Sequence, residues 1–380
     1  MIEREIISII DEELRAGKVI LIYGARRVGK TVLAEQIAEK HGGKVLFLNG
    51  EDSATQMLIK DRSAESYRQL FQDYKMLIID EAQTIPDIGK CLKLIVDTVT
   101  KLSVVATGSS AFDLQQKSGE PLVGRSYEYR LYPFSVNETL SSETALEHLQ
   151  RIEQHIVYGS YPELNTINEN SRKERYLKEI ARSYLLKDIL AYDGLKNSNK
   201  INSLLRLIAY QVGQEVSLDE LSNKLSMSRN TVERYIDLLC KTFVIYRLPA
   251  FARNARREVS KPGKIYFIDN GIRNAIMDDF RPISLRQDVG ALWENYLITE
   301  RIKFMNNSGR YAHHYFWRTY SGQEIDLIEE CENKLSAFEF KWGEKTPKMP
   351  LSFKNAYPEA SYNVINKSNY LDFCTKKGRE

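Results

Sequence analysis

The stretch GARRVGKT at residues 24–31 decides the fold class of this 380-residue chain. It follows the apolar run VILIY at 19–23 and precedes VLAEQIAEK, which has the composition of a helix. A strand, a glycine-rich loop of the form GxxxxGK[ST] and a helix in this order form a phosphate-binding loop, or P-loop. The loop surrounds the phosphates with backbone N–H groups, and the start of the helix adds its dipole. The sequence therefore predicts an α/β fold that begins with a P-loop domain.

The P-loop and the residue after it supply the predicted nucleotide contacts. We expect Lys30 to place its ammonium on the β- and γ-phosphates and to act in catalysis, and Thr31 to offer a hydroxyl ligand to Mg²⁺. The predicted nucleotide-binding residues of this stretch are Gly24, Ala25, Arg26, Arg27, Val28, Gly29, Lys30, Thr31 and Val32.

A second apolar run, MLIID at 76–80, ends in the acidic pair Asp80-Glu81. In P-loop proteins a buried strand of this kind delivers an acid to the magnesium ion. We expect Asp80 to hold Mg²⁺ through water beside the nucleotide, and Glu81 to polarise the attacking water as general base. The alternative is that the two acids cap a helix beginning near Pro86.

Two further features fit a nucleotide site. The apolar run at 102–106 ends in TGSS, where the hydroxyls of Thr107 and Ser109 would bond the γ-phosphate or the attacking water. A serine-rich turn is the alternative. Arg125 lies in a polar loop with no evident partner in the sequence, so it is a candidate catalytic finger on a neighbouring subunit's nucleotide. Surface arginines are common, and an arginine without such a role is the alternative.

These motifs and others farther along make the sequence similar to a family of bacterial and archaeal AAA-type ATPases. That family joins a P-loop domain to a C-terminal domain of uncharacterised function related to PD-(D/E)xK nucleases. The stretches that carry the resemblance are GARRVGKT (24–31), LIIDEAQ (77–83), TGSSA (107–111), GRSYEYRLYPFS (124–135), YGSYPE (158–163) and KIYFIDNGI (264–272). The sequence has no NKxD motif for guanine, so the resemblance implies ATP with Mg²⁺. It also implies a homo-oligomer, because ring-forming relatives of this fold use a loop arginine on the neighbouring nucleotide.

The middle of the chain predicts two modules after the P-loop domain at 1–140. Residues 141–199 carry apolar residues three and four positions apart, which predicts a helical lid. Within 200–268, a helix at 218–225, the turn SMS, a helix at 229–241 and an apolar strand at 243–248 outline a winged helix. DNA is the predicted partner, and protein contact is the alternative. The residues expected to face its phosphates are Arg229, Asn230, Arg234, Arg253, Arg256, Arg257, Lys261 and Lys264.

The C-terminal domain at 269–380 contains EIDLIEE at 324–330 and LSAFEFKW at 335–342, whose alternation predicts a β-hairpin. With a turn at 332–333, Asp326 lies opposite Glu339, and Lys341 shares their face. Two opposed carboxylates are destabilising unless a cation lies between them, which is how nucleases of this class use an Asp and an ExK. We therefore predict a catalytic site of Asp326, Glu339 and Lys341, with a divalent metal between the two acids and Glu294 as a further ligand. A slipped turn would instead pair Asp326 with Lys341 as a surface ion pair.

Composition limits the remaining function classes. Hydrophobic residues make up 43% and charged residues 28% of the chain, which excludes collagen-like and wholly disordered proteins. The formal charge is only +3, so any DNA-binding surface must be local. The four cysteines are far apart and predict a reducing, cytoplasmic setting without a disulfide framework. The apolar runs are far shorter than the ~20 residues of a membrane span, so no membrane association is predicted.

The sequence thus predicts an AAA-type protein that binds and hydrolyses ATP and acts on DNA. Cleavage of DNA by the C-terminal domain with a divalent metal stays open, because a metal site without turnover would show the same residues. The alternative function is a nucleotide-controlled signalling or scaffold switch that binds proteins and carries an inactive nuclease-like domain.

Overall fold

A computed structural model describes residues 2–60, 63–109, 122–184, 198–251 and 263–375. These residues divide into two compact units. Unit 1 runs up to Tyr132 and includes Lys241–Phe243, and unit 2 contains Pro133–Cys240 and the chain from Val244 onwards. The segments predicted as lid, winged helix and nuclease-like domain all contribute to unit 2.

Unit 1 is built on a five-stranded parallel sheet of order β2-β3-β4-β1-β5. Its strands are β1 (Val19–Tyr23), β2 (Val45–Asn49), β3 (Met76–Asp80), β4 (Ser103–Gly108) and β5 (Ser126–Arg130). The strands β1, β3 and β4 are buried at every residue, as expected for apolar central strands covered on both faces. Because the strands are parallel, the P-loop after β1 and the acids at the end of β3 reach the same edge of the sheet. β4 lies between them.

Five helices surround this sheet in the described part of unit 1. They are α1 (Ile7–Glu13), α2 (Lys30–His41), α3 (Ser53–Ile59), α4 (Ala64–Phe71) and α5 (Ile88–Thr98). The first helix, α1, buries Ile7 and Ile10. The predicted helix after the P-loop is confirmed, and α2 begins at Lys30 itself.

Unit 2 begins with helices and a small sheet. In chain order the elements are α6 (Val136–Leu140), α7 (Ala145–Tyr158), α8 (Asn170–Glu179), a π-helical turn (Ile180–Tyr184), α9 (Ser198–Tyr210), α10 (Leu218–Leu225), α11 (Arg229–Lys241), β6 (Ile245–Leu248), β7 (Lys264–Phe267) and α12 (Asn270–Met277). The predicted helix–turn–helix and the strand that follows it are confirmed. β6 and β7 pair antiparallel, and Glu215 forms an antiparallel bridge with Lys264.

The last part of unit 2 is a four-stranded mixed sheet of order β11-β10-β9-β8 that packs on a long helix. Its elements are α13 (Val289–Asn307), β8 (His313–Arg318), β9 (Glu324–Cys331), β10 (Lys334–Phe340), α14 (Leu351–Ala356), β11 (Ser361–Ile365) and α15 (Tyr370–Thr375). β9 and β10 form the predicted hairpin. Its turn residues Glu332 and Asn333 have φ of 51° and 63°, the two left-handed residues of a type I′ turn.

A buried ion pair ties α13 to this sheet. Arg301 donates through Nε and Nη2 to the carboxylate of Glu329 at 2.7 and 2.6 Å, and His314 lies 3.2 Å from the same carboxylate. Burial acts to raise the pKa of Glu329, but the two basic partners lower it to about 2. A pair with both carboxylate oxygens bonded is the geometry in which a buried charge is tolerated. None of the helices in the described ranges is long and apolar enough to cross a membrane.

Candidate functional site

The P-loop has the backbone conformation that phosphate binding requires. Gly24 approaches the end of β5 so closely that a Cβ there would lie 2.3 Å from the carbonyl oxygen of Leu131. Gly29 caps α2 with φ 95°, a left-handed conformation that favours glycine. Lys30 is buried, and its Nζ donates to the carbonyl oxygens of Gly24 and Ala25 at 3.1 Å each. The ammonium is therefore held against the loop that would carry the phosphates.

Asp80 is the hub of a hydrogen-bonded network at the carboxyl ends of β3 and β4. Thr31 Oγ1 donates to Asp80 Oδ2 at 2.6 Å, and Thr107 Oγ1 donates to Asp80 Oδ1. The backbone N–H of Glu81 donates to Thr107 Oγ1 at 3.1 Å. The structure thus brings together the predicted Mg²⁺ ligands and one of the two predicted sensor hydroxyls.

Glu81 stands beside this network in a left-handed conformation, with φ 49°. Its carboxylate accepts a hydrogen bond of 2.5 Å from Gln83 Nε2, and Lys30 Nζ lies 3.9 Å from Oε1. Gln83 also donates to Ser109 Oγ at 3.4 Å. Within the described residues, Ser109 is linked to the site through Gln83. A non-glycine residue at positive φ is uncommon and is concentrated at functional sites, which fits the general base predicted here.

The donors of this edge suit a magnesium–nucleotide complex. A hydroxyl from Thr31 and the carboxylate of Asp80 are the hard oxygen ligands that Mg²⁺ takes in such sites, usually with waters. The ion would neutralise phosphate charge, and Lys30 would act on the same phosphates. This fit rests on the hydrogen-bonded pair of Thr31 and Asp80, which presents both groups at one point.

The second predicted site lies on the hairpin of unit 2. Phe338 pairs with Leu327, so the same register continued by one residue sets Glu339 opposite Asp326. The slipped pairing of Asp326 with Lys341 is therefore wrong. Lys341 Nζ donates instead to Glu339 Oε1 at 2.6 Å, and the backbone N–H of Phe340 donates to Asp326 Oδ2 at 2.8 Å.

Glu294 joins this hairpin from α13. It accepts hydrogen bonds at Oε1 from Tyr266 at 2.6 Å and from Lys264 at 3.1 Å, and Lys264 also contacts Glu324. We call Glu294, Glu324, Asp326 and Glu339 the carboxylate cluster. Sequence reasoning found three of its members but missed Glu324 and the lysine from β7.

Burial and like charge act together on the carboxylate cluster. Burial, followed by the neighbouring charge of Asp326, raises the pKa of Glu294 to about 7. Burial also raises the pKa of Asp326, and burial with Asp326 raises that of Glu339. The ammoniums of Lys264 and Lys341 supply the positive charge between these acids. Among the described residues, the cluster does not bring three ligand oxygens within 4.8 Å of one another.

The position of Lys264 corrects an expectation for the winged helix. Lys264 is 2% exposed and is paired with the carboxylate cluster, so it is not a DNA-facing residue of the wing. Arg229 and Arg234 are exposed on α11, as predicted. Arg253, Arg256, Arg257 and Lys261 lie outside the described residues.

The comparison with protein families agrees with the geometry of the P-loop. Residues 16–140 match the family model described as an AAA domain. Unit 1 is an AAA-type P-loop domain. Residues 149–282 match a domain of unknown function (DUF8612), and residues 289–376 match another (DUF4143).

Similar curated proteins cover most of the chain and are described as uncharacterized. One from Mycobacterium tuberculosis is 26% identical over 347 residues, which is 90% of this chain and 74% of that protein. One from Methanocaldococcus jannaschii is 24% identical over 346 residues, 86% of this chain and 75% of that protein. One from Haemophilus influenzae is 29% identical over 276 residues, 67% of this chain and 68% of that protein.

Two solved structures are similar to the chain at low identity and low TM-score. A signal transduction ATPase with numerous domains from Pyrococcus horikoshii, which carries a tetratricopeptide repeat sensor, is 13% identical with a TM-score of 0.33. The match covers 79% of this chain and spans 46% of that protein's length. The RuvB Holliday junction branch migration motor of Thermotoga maritima is 15% identical with a TM-score of 0.28, over 67% of this chain and 91% of RuvB.

The position and the partner of Arg125 differ from those that the sequence predicts. Its backbone carbonyl accepts a hydrogen bond from the N–H of Val19 at the start of β1. Arg125 therefore lies at the end of the sheet where the strands begin, and the P-loop lies at the other end. Its Nε donates to Asp97 Oδ1 at 2.6 Å. The premise that Arg125 has no partner of its own is therefore wrong, and it cannot reach the nucleotide of its own chain. A role in a neighbouring subunit's site stays a prediction.

Two other arginines of the AAA domain escaped sequence reasoning. Arg4 is buried and donates to the carbonyl oxygens of Val28 at 3.4 Å and Tyr132 at 2.5 Å, which ties the N-terminal segment to the P-loop. Arg130 on β5 pairs in register with Tyr23, the residue before the P-loop. It therefore lies at the same end of the sheet as the P-loop. The sequence does not indicate that either arginine lies near the P-loop, because both positions depend on β5 being the neighbour of β1.

Thr107 gives a testable prediction for the AAA domain. Thr107→Val removes the hydroxyl that bridges Asp80 and the backbone of Glu81 while keeping the shape of the side chain. A hydrogen bond to a charged group contributes ~1.5–3 kcal/mol, so we expect ATP turnover to fall ~10- to 100-fold with nucleotide binding retained. Steady-state phosphate release and nucleotide titration measure the two quantities. Thr100→Val, at an exposed threonine of the same domain, is the matched control, and equal turnover in both variants would contradict the assignment.

Proposed function

We propose that this protein is an ATP-hydrolysing AAA-type ATPase that acts on DNA. The observation that carries the ATPase proposal is the network in which Thr31 and Thr107 both donate to Asp80 while Glu81 stands beside Lys30. It supplies a phosphate-binding ammonium, ligands for Mg²⁺ and a carboxylate for the attacking water at one edge of the sheet. Oligomers are common among AAA proteins, and we propose a homo-oligomer here.

The proposal of DNA as partner rests on the middle of unit 2. The order α9, the Glu215 bridge, α10, α11, β6 and β7 has the sequence of helices and strands of a winged helix. α11 then corresponds to the recognition helix, and it presents Arg229 and Arg234 on its exposed side. Arginines in this position bind phosphates and release counterions, which makes the affinity depend on salt.

Charge reversal on α11 tests the DNA proposal. We expect Arg229→Glu/Arg234→Glu to weaken binding of a labelled duplex at least ~10-fold and to flatten its salt dependence, because two phosphate contacts are replaced by repulsion. Basal ATP turnover should not change. The matched control is Arg172→Glu/Arg175→Glu on α8, which makes the same charge change at two exposed arginines of the same unit. Equal weakening in both double variants would show that only net charge matters and would remove α11 from the DNA interface.

For the C-terminal sheet we propose a PD-(D/E)xK nuclease-like domain with a divalent-metal site at the carboxylate cluster. Support comes from the register that opposes Asp326 to Glu339 and from Glu294 beside them on α13. Mg²⁺ or Mn²⁺ bound there would activate water for attack on a phosphate, and Lys341 would stabilise the developing charge.

A second function, a nucleotide-controlled switch that binds protein partners, is favoured by one observation. The buried ammonium of Lys264 already lies between Glu294 and Glu324, so positive charge is present in the cluster without a metal. ATP turnover measured with and without duplex, single-stranded and branched DNA separates the two functions. Stimulation by DNA supports the first, and unchanged turnover together with no gel shift supports the second.

A further inference from the structure

A group of three potential metal ligands lies along α7, from the residue two positions before the helix to its last turn, and includes no residue of the two sites above. One ligand atom each of Glu143, His148 and His155 lies within 4.8 Å of the other two. The histidines are seven residues apart, two turns along one face of the helix, and their rings stack with centroids 4.6 Å apart. Glu143 precedes the helix and folds back onto both rings.

The distances within this group suit a shared ion. Glu143 Oε1 lies 3.7 Å from His155 Nε2, which is too long for a hydrogen bond. Ligand atoms of a tetrahedral zinc ion, each ~2.0–2.1 Å from the metal, are about 3.3 Å apart. His148 Nδ1 is closer, 2.6 Å from the same oxygen, where its proton is donated to the carboxylate. Metal binding would release such protons.

Unused hydrogen-bonding capacity is the second, independent observation. The Nε2 atoms of both His148 and His155 are buried and have no hydrogen-bond partner among the described residues. The side chain of His148 is only 1% exposed. A buried polar atom without a partner costs ~1–3 kcal/mol, and an ion bound beside Glu143 would satisfy Nε2 of His155, which faces that carboxylate. The histidines also lower the pKa of Glu143 to about 2, against the opposing effect of its burial, so the carboxylate is anionic at neutral pH.

We propose that Glu143, His148 and His155 bind one divalent transition-metal ion of the zinc type. Two imidazoles and one carboxylate are a ligand set that zinc accepts in sites that keep a position open for water or substrate. Mg²⁺ and Ca²⁺ prefer oxygen ligands and would not compete well for the imidazoles.

An opening for the ion and for a fourth ligand is present. Glu143 and His155 line a cavity of about 390 Å³, whereas His148 approaches from the buried side. Arg151 and Lys173 line the same cavity, and Arg151 Nη1 donates to Glu143 Oε2 at 3.2 Å. With two cationic side chains in its wall, the cavity would favour water or an anionic group on the open position of the metal.

Zinc titration of the full-length, metal-stripped protein tests this site. A chromophoric chelator competes for Zn²⁺, and excess Mg²⁺ is present throughout to occupy sites made of oxygen ligands alone. We expect the wild type to bind one zinc ion per chain tightly, and His155→Gln to bind it at least ~100-fold more weakly because one of three ligands is lost. His313→Gln, at an exposed histidine of the same unit, is the matched control and should bind like the wild type.

Thermal unfolding provides a second measurement on the same proteins. An ion that binds only the folded state raises the midpoint of unfolding, so zinc should raise it for the wild type and His313→Gln but not for His155→Gln. If His155→Gln does not fold, Glu143→Gln takes its place. Equal zinc binding by all variants, or a wild type that binds no zinc against the chelator, would overturn the proposal and leave a hydrogen-bonded cluster that anchors α7.

Discussion

Lys30→Ala is expected to abolish nucleotide binding, and Glu81→Gln is expected to bind ATP but hydrolyse it at least ~100-fold more slowly. The two variants separate binding from chemistry. Lys30 is held against the carbonyl oxygens of Gly24 and Ala25, where its loss removes the cation of the phosphate site. Glu81 carries the carboxylate proposed to polarise water, and the amide in Glu81→Gln keeps its size without its basicity. Titration with a fluorescent ATP analogue and steady-state phosphate release measure the two effects.

Matched controls lie on α2, the helix that begins at Lys30. Lys40→Ala and Glu35→Gln make the same chemical changes at exposed positions of that helix and should leave binding and turnover near wild-type values. Wild-type turnover in Glu81→Gln would contradict its assignment as general base. Tight ATP binding by Lys30→Ala would contradict the role of the P-loop lysine.

The second large effect is expected at the carboxylate cluster. Asp326→Ala and Glu339→Ala should each stop divalent-dependent nicking of supercoiled DNA, because the metal loses a ligand from one side of the hairpin. Lys30→Ala should alter only the ATP dependence of nicking, since the P-loop lies in another compact unit. Conversion of supercoiled to relaxed plasmid in Mg²⁺ and in Mn²⁺ measures the reaction.

The controls for this experiment address folding and charge. Asp326→Asn keeps the side-chain shape beside the backbone N–H of Phe340, so its loss of nicking would not reflect an unfolded hairpin. Glu330→Ala removes an exposed acid from the same strand and should cleave normally. If the wild type leaves supercoiled, linear and branched DNA intact in both Mg²⁺ and Mn²⁺, the prediction of cleavage is wrong. The C-terminal sheet would then be a nuclease-derived fold that binds without cleaving. Lys264 would supply the positive charge of the carboxylate cluster in place of a metal.

Features contained in one short stretch could be predicted because their physics is local. The glycines of the P-loop, the turn at 332–333 and the alternation of β9 and β10 each follow from the conformations their own residues allow. The opposition of Asp326 and Glu339 follows in turn, because a two-residue turn sets the register of the hairpin. The helix–turn–helix of α10 and α11 is predictable for the same reason, since its apolar spacing and its turn lie within one segment.

The sequence by itself determined the P-loop, the acids that end β3 and the hairpin with its opposed carboxylates. Only the tertiary structure decided what surrounds them. Thr107 contacts Asp80 because β4 lies between β1 and β3. Arg125, by contrast, lies at the end of the sheet opposite the P-loop. Lys264 does not lie on the predicted DNA surface because β7 places it in the carboxylate cluster, where Glu294, Asp326 and Glu324 raise its pKa against the opposing effect of burial. The physical reason is common to these cases. Charge, burial and hydrogen bonding depend on neighbours across strands and helices, and spacing along a chain does not specify those neighbours.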